Sequence, residues 1–116
     1  MKKDDRVYVL HVRDALRQIL EYAKEGRDFF QRDKKTQDAI IRQFQVLGEA
    51  AKKLSTPFRK SYADIPWKEM SGMRDKMIHE YFGIDLDLVW DVVEKELPTL
   101  QKKIEKLLNE IKPSAG

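Results

Sequence analysis

Hydrophobic residues recur along most of this chain at steps of three and four, the spacing of one face of an α-helix. Val9, Val12, Leu16, Ile19 and Ala23 make the first stripe and predict a helix from about Asp5 to Lys24, closed by Gly26. Asp4 or Asp5 is placed to accept hydrogen bonds from its first free amides. Ile40, Phe44, Leu47, Ala51 and Leu54 make the second stripe, from about Lys34 to Leu54, with Gly48 and Ala50 small enough to admit a close neighbour. Asp33 or Thr36 can cap its start. Ser55-Thr56-Pro57 ends it, because proline disfavours helix in the residue before it. Arg27–Arg32 reads as an extra turn or a loop.

A third helix is predicted to begin at Ile65-Pro66-Trp67, where proline suits the first helical position, and to end near Phe82-Gly83. A fourth starts at Asp85 or Asp87 and reaches Ile111, with Val89, Val93, Leu97, Leu100, Ile104, Leu107 and Ile111 as its stripe. Pro98 lies inside that stretch, so a kink or break is expected near Leu97. Nothing in the pattern reads as a strand. Four or five amphipathic helices on short connections predict an all-α antiparallel bundle. A single domain over residues 1–116 is expected, with 112–116 as a disordered tail.

Composition narrows the chemistry. The chain has 116 residues, no cysteine and two histidines, which excludes a disulfide framework, a thiol nucleophile and a histidine-rich zinc centre. No metal site or cofactor is expected. No apolar run approaches the roughly 18 residues of a membrane span, and Met1-Lys2-Lys3-Asp4-Asp5 lacks a signal-peptide core, so a cytoplasmic domain with no membrane partner is predicted. The net charge of +3 hides an asymmetry: residues 1–60 hold 15 Lys/Arg and 9 Asp/Glu, whereas residues 61–116 hold 8 and 11. That asymmetry is a weak pointer to a polyanionic partner.

The third helix carries the unusual side chains. At 100° per residue, Trp67, Met70, Met77, Ile78 and Tyr81 all fall within about 60° of Arg74, which places a guanidinium in an apolar stripe. Such a group must snorkel to water, pair with a carboxylate such as Glu49, or serve a ligand. One flank carries Asp75 and His79, four residues apart, close enough for the carboxylate to orient the imidazole. Phe82 lies on that flank too, which makes sense if a second subunit covers it. His11, between Leu10 and Val12, has no comparable company and reads as structural.

The string Gly72-Met73-Arg74-Asp75-Lys76-Met77-Ile78-His79-Glu80-Tyr81-Phe82-Gly83-Ile84-Asp85 resembles the signature of HEPN domains, an arginine, a polar residue, three more residues and a histidine. With 8 arginines and 2 histidines, R-x4-H alone arises by chance in about one such chain in seven; tyrosine two places on makes that roughly half a per cent. Ile65-Pro66-Trp67 before the motif, and Asp87-Leu88-Val89-Trp90 and Leu97-Pro98 after it, extend the likeness over nearly the whole chain. More narrowly, it is similar to HepT-like proteins, toxin partners of MNT-type minimal nucleotidyltransferase antitoxins.

The resemblance implies a dimeric all-α bundle in which two R-x4-H motifs face each other across a cleft. It implies a metal-independent endoribonuclease acting on tRNA or mRNA, the toxin of a type VII toxin–antitoxin system. Arg74 would bind the scissile phosphate, His79 would act as general base or acid, and Asp75 would orient one of these groups. Tyr81 would be the hydroxyl that the antitoxin modifies with AMP, blocking the cleft and repelling substrate phosphate. The partners so implied are a second copy, the nucleotidyltransferase and RNA. The alternative is a non-catalytic helical subunit of a nucleotidyltransferase complex, using the same motif to bind nucleotide or partner. A third reading is an interaction module in which Arg74 is merely ion-paired.

Overall fold

The computed structural model describes residues 3–79 and 83–111. Helix α1 spans Lys3–Tyr22 and runs into a 3-10 turn at Ala23–Glu25; α2 spans Arg27–Arg32, α3 Lys34–Lys53 and α4 Thr56–Ser61. Helix α5, Trp67–Met77, is followed by two short strands, β1 at Ile78–His79 and β2 at Gly83–Ile84. Helices α6, Leu86–Lys95, and α7, Leu97–Glu110, complete the described chain.

The stripes seen in the sequence are the core. Val9, Val12, Leu16 and Ile19 of α1 meet Ile40, Phe44 and Leu47 of α3, with Val89, Val93, Leu97, Leu100 and Ile104 in the same buried cluster. Burying an aliphatic or aromatic side chain of this size contributes about 1.5–3 kcal/mol, so the stripes dominate the stability of the bundle. Helix α1 packs on α3 and α7, and α3 packs in turn on α5. The all-α bundle is therefore as expected. No helix among the described residues is long and apolar enough to cross a membrane.

Local chemistry explains where the helices start and stop. Asp33 caps α3 as anticipated, its carboxylate accepting from the Thr36 N–H at 3.1 Å and the Thr36 hydroxyl at 2.6 Å. Those bonds, the hydroxyl's foremost, hold the Asp33 carboxyl below its ordinary range. The expected break near Pro98 occurs at Glu96, so the long fourth helix is two helices, α6 and α7. Pro98 lies in the first turn of α7, where its missing N–H is no loss. Arg27–Arg32 is helical rather than a loop, anchored by Phe30, whose ring lies 5.5 Å from that of Trp90.

Three expectations are corrected. Ser55-Thr56-Pro57 ends α3 but also starts α4, with Ser55 accepting from the Phe58 N–H at 3.3 Å and Pro57 in the first turn. Of the two acidic residues expected to cap α1, Asp5 is engaged elsewhere among the described residues: Ser55 donates to it through its N–H at 2.8 Å and its hydroxyl at 2.7 Å, fifty residues away. A strand pair exists where none was expected, and its consequences fall on the motif. The expected disordered tail, residues 112–116, lies outside the described residues.

Candidate active site

Helix α5 is held in place from its first residue. Trp67 is buried, its indole N–H donates to the Tyr62 carbonyl at 3.1 Å, and its ring lies 6.1 Å from that of Phe58. Met70 and Met77 bury the same side of the helix. On the α3 side the two backbones nearly touch at Gly48. A Cβ there would lie 3.2 Å from the Ser71 carbonyl oxygen and 3.3 Å from that of Met70. Glycine at this point thus sets the separation between α3 and α5, as its place beside the second stripe suggested.

The helix stops at Met77, five residues before the predicted end. Ile78 is extended, with φ −114° and ψ 123°, and β1 pairs antiparallel with β2, Ile78 opposite Ile84 and His79 opposite Gly83. Gly83 has φ 76°, a left-handed conformation that glycine adopts without strain. Asp85 locks the end of the pair: its N–H donates to the Met77 carbonyl at 2.7 Å, and its Oδ1 accepts from the Leu88 N–H at 3.1 Å, capping α6. A hairpin two residues wide has no periodicity to reveal it, and the 3.6-residue spacing of Arg74, Ile78 and Tyr81 ran on through it. That spacing misplaced Ile78 and His79, which are extended and not helical.

Arg74 consequently lies at the edge of the core and not amid a continuous apolar stripe. Its side chain is 40% exposed and reaches a small polar crevice of about 60 Å³ between α3 and α5, lined also by Gln45, Glu49, Lys52, Ser71 and Asp75. Its Nη1 lies 3.6 Å from Asp75 Oδ1, and its Nε is buried with no hydrogen-bond partner among the described residues. Glu49 shares the crevice but pairs with Lys52 at 3.8 Å, not with Arg74, among the described residues. The exposed head of the guanidinium, and not its buried Nε, is the part suited to an anionic oxygen.

His79 stands on β1, its side chain 52% exposed. The predicted helical pairing with Asp75 does not form, because β1 is extended and the i,i+4 geometry is gone. Asp75 instead lies beside Arg74, 74% exposed, so the group it can orient is the guanidinium. The carboxylate facing the imidazole is that of Asp85, whose Oδ2 is 3.6 Å from His79 Nε2. The sequence marks Asp85 only as a possible helix start. The signal available in the sequence was its place at the end of the motif string, six residues after the histidine. Tyr81 and Phe82 lie outside the described residues. His11, on α1, is exposed, with the Tyr8 ring edge-on at 6.0 Å. Among the described residues no three His, Asp or Glu side chains gather as a metal site would require.

Fold and motif together define an all-α, HEPN-like domain with an arginine near a helix end and a histidine in the hairpin that follows. The profile of the family described as Ribonuclease HepT-like matches residues 12–107, and the chain belongs to that family. It is 44% identical over 112 residues to a Methanocaldococcus jannaschii protein named "Gamma-glutamylcyclotransferase and putative RNase"; the match covers 96% of this chain and 50% of that protein. The chain thus spans half the length of that relative. It is 41% identical over 109 residues to a Thermococcus cleftensis protein named "Probable ribonuclease HepT", covering 92% of this chain and 98% of the relative. A Caldanaerobacter subterraneus protein named as an RNase in the same guarded form is 38% identical over 112 residues, 95% of this chain and 99% of its own. No solved structure matches the chain.

Proposed function

We propose that this chain is a metal-independent endoribonuclease, the toxin of a type VII toxin–antitoxin system, working as a dimer with two motifs across one cleft. The observation that carries the reading is that the motif's guanidinium and imidazole are both accessible, the Arg74 side chain 40% and that of His79 52% exposed. The names of the relatives point the same way. RNA carries its own nucleophile, so an acid–base pair and a phosphate clamp suffice for cleavage. An imidazole takes the 2′-hydroxyl proton as the 2′-oxygen bonds to phosphorus; the P–O5′ bond breaks, and the departing oxygen receives a proton. Arg74 meets the negative charge that builds on the non-bridging oxygens, with Asp75 orienting the guanidinium. One motif histidine per subunit gives the dimer two, one to take a proton and one to give it.

Tyr81 follows His79 by two residues and is the proposed acceptor of AMP from a nucleotidyltransferase partner. Its phenolic oxygen would attack the α-phosphorus of ATP and release pyrophosphate, leaving a bulky anion beside the motif.

The test is cleavage of tRNA and mRNA by the purified protein in chelator. The wild type should leave 2′,3′-cyclic phosphate ends. His79→Ala should lower the rate by about 10²- to 10⁴-fold, and Arg74→Ala by about 10²- to 10³-fold. Undiminished cleavage by His79→Ala sinks the catalytic reading. Co-expression with an adjacent nucleotidyltransferase should add AMP to the intact mass, and Tyr81→Phe should remove that increment. An unmodified chain beside an active partner sinks the regulatory one.

A further inference from the structure

We propose that Asp85 is a positioning residue for His79, selecting the imidazole tautomer that carries its proton on Nε2 and leaves Nδ1 free to exchange a proton with substrate. This rests on the reading of His79 as the acid–base group and adds to it the atom that does the work. Asp85 is immobilised by three hydrogen bonds to the backbone. Its N–H donates to the Met77 carbonyl at 2.7 Å, its carbonyl accepts from the Val89 N–H at 3.0 Å, and its Oδ1 accepts from the Leu88 N–H at 3.1 Å. Its Oδ2 takes no part in the cap and lies 3.6 Å from His79 Nε2, a few tenths of an ångström beyond hydrogen-bond length. Catalytic hydrogen bonds are commonly this long before substrate arrives and tighten in the complex.

Residue type sharpens the point. Serine, asparagine and aspartate all cap a helix well, and the cap uses one oxygen. The second oxygen of Asp85 is therefore surplus to the fold, and it faces the ring across the hairpin. A carboxylate oxygen only accepts, so the ring nitrogen facing it carries the proton. Nδ1 then holds the lone pair that takes the 2′-hydroxyl proton, while the Nε2–H stays on the carboxylate through the imidazolium state. The same carboxylate–imidazole logic recurs wherever a histidine must present one defined nitrogen.

Asp85→Asn separates the two duties. Asparagine keeps the cap through its amide oxygen, which turns its NH₂ toward Nε2 and opposes donor to donor. Imidazole ¹⁵N shifts of neutral His79, assigned by their loss in His79→Gln, should report the Nε2–H tautomer in the wild type and Nδ1–H in Asp85→Asn. The melting temperature should hold, and kcat should fall about tenfold to hundredfold with KM nearly unchanged. Asp85→Ser, with one oxygen committed to the cap, should lower kcat without reversing the tautomer, since an unpartnered neutral imidazole already favours Nε2–H. A wild-type Nδ1–H tautomer, or the Nε2–H tautomer persisting in folded Asp85→Asn, overturns the proposal, as does undiminished kcat in Asp85→Ser. A tautomer switch in a protein that cleaves no RNA supports the Asp85 contact and counts against the ribonuclease reading alone. His79-dependent cleavage without any switch does the reverse.

Discussion

Asp5 shows how one side chain can serve a contact that local reading assigns elsewhere. In the first turn of α1 an acidic residue normally meets the helix's own free amides. Here it is 2% exposed and accepts two hydrogen bonds from Ser55, whose hydroxyl also caps α4. Removing the carboxylate strands two donors that are partly shielded from water. Asp5→Ala should cost about 2–4 kcal/mol, and Ser55→Ala about 1–2 kcal/mol through the lost cap. The double variant should lose less than the sum, since both changes break one shared contact. Urea titration reads all three, and a loss under about 0.5 kcal/mol for Asp5→Ala would mean the node contributes little. Arg74 is the complementary case. Its oddity among apolar neighbours was legible in the sequence, but its half-exposed place depends on where the helix stops.

The site's geometry is set by how α5 sits on α3 and by its end at Met77. The two helices come close at Gly48, where a β-carbon would press on two carbonyl oxygens of α5 that belong to helical backbone and cannot turn aside. Gly48→Val should therefore destabilise the bundle by about 1–3 kcal/mol and shift the helix that carries Arg74. Thermal melting should reveal the first effect. Cleavage assayed well below the melting temperature should reveal the second, as a loss beyond the unfolded fraction. Unchanged melting would show that α5 slides freely on α3. The long helices were legible because each spans several turns of periodic pattern. Helix α4 and the strand pair were not, since six residues and two residues are too few to show a period. Ser55-Thr56-Pro57 is also ambiguous by chemistry, as proline stops the helix before it and suits the start of the next.

For the whole molecule, the question is whether one chain makes a complete site. Each chain offers one motif histidine, and the proposed proton relay needs a donor and an acceptor. The motif lies in the acidic half, with the excess of positive charge in residues 1–60, so the proposed RNA substrate would also need basic side chains of α1 to α4. Sedimentation at micromolar concentration should give twice the 13.7 kDa of one chain. Cleavage per chain should fall on dilution through the dissociation range. A monomer with full activity would overturn the shared cleft.

What the sequence determined by itself was the periodic part of the protein. Apolar spacing specified which faces of α1, α3, α6 and α7 are buried, because burial of those faces dominates folding energy and needs no knowledge of neighbours. The motif string likewise led to the family, since its residue types and spacing do not depend on their conformation. Only the tertiary structure decided which carboxylate faces the histidine. Spacing along a helix nominated Asp75, but the chain leaves the helix at Met77 and turns back on itself. The hairpin brings Asp85 to the imidazole and leaves Asp75 with Arg74. Contacts made by a reversal of the chain are set by backbone hydrogen bonds such as that from Asp85 to Met77, which no periodicity records.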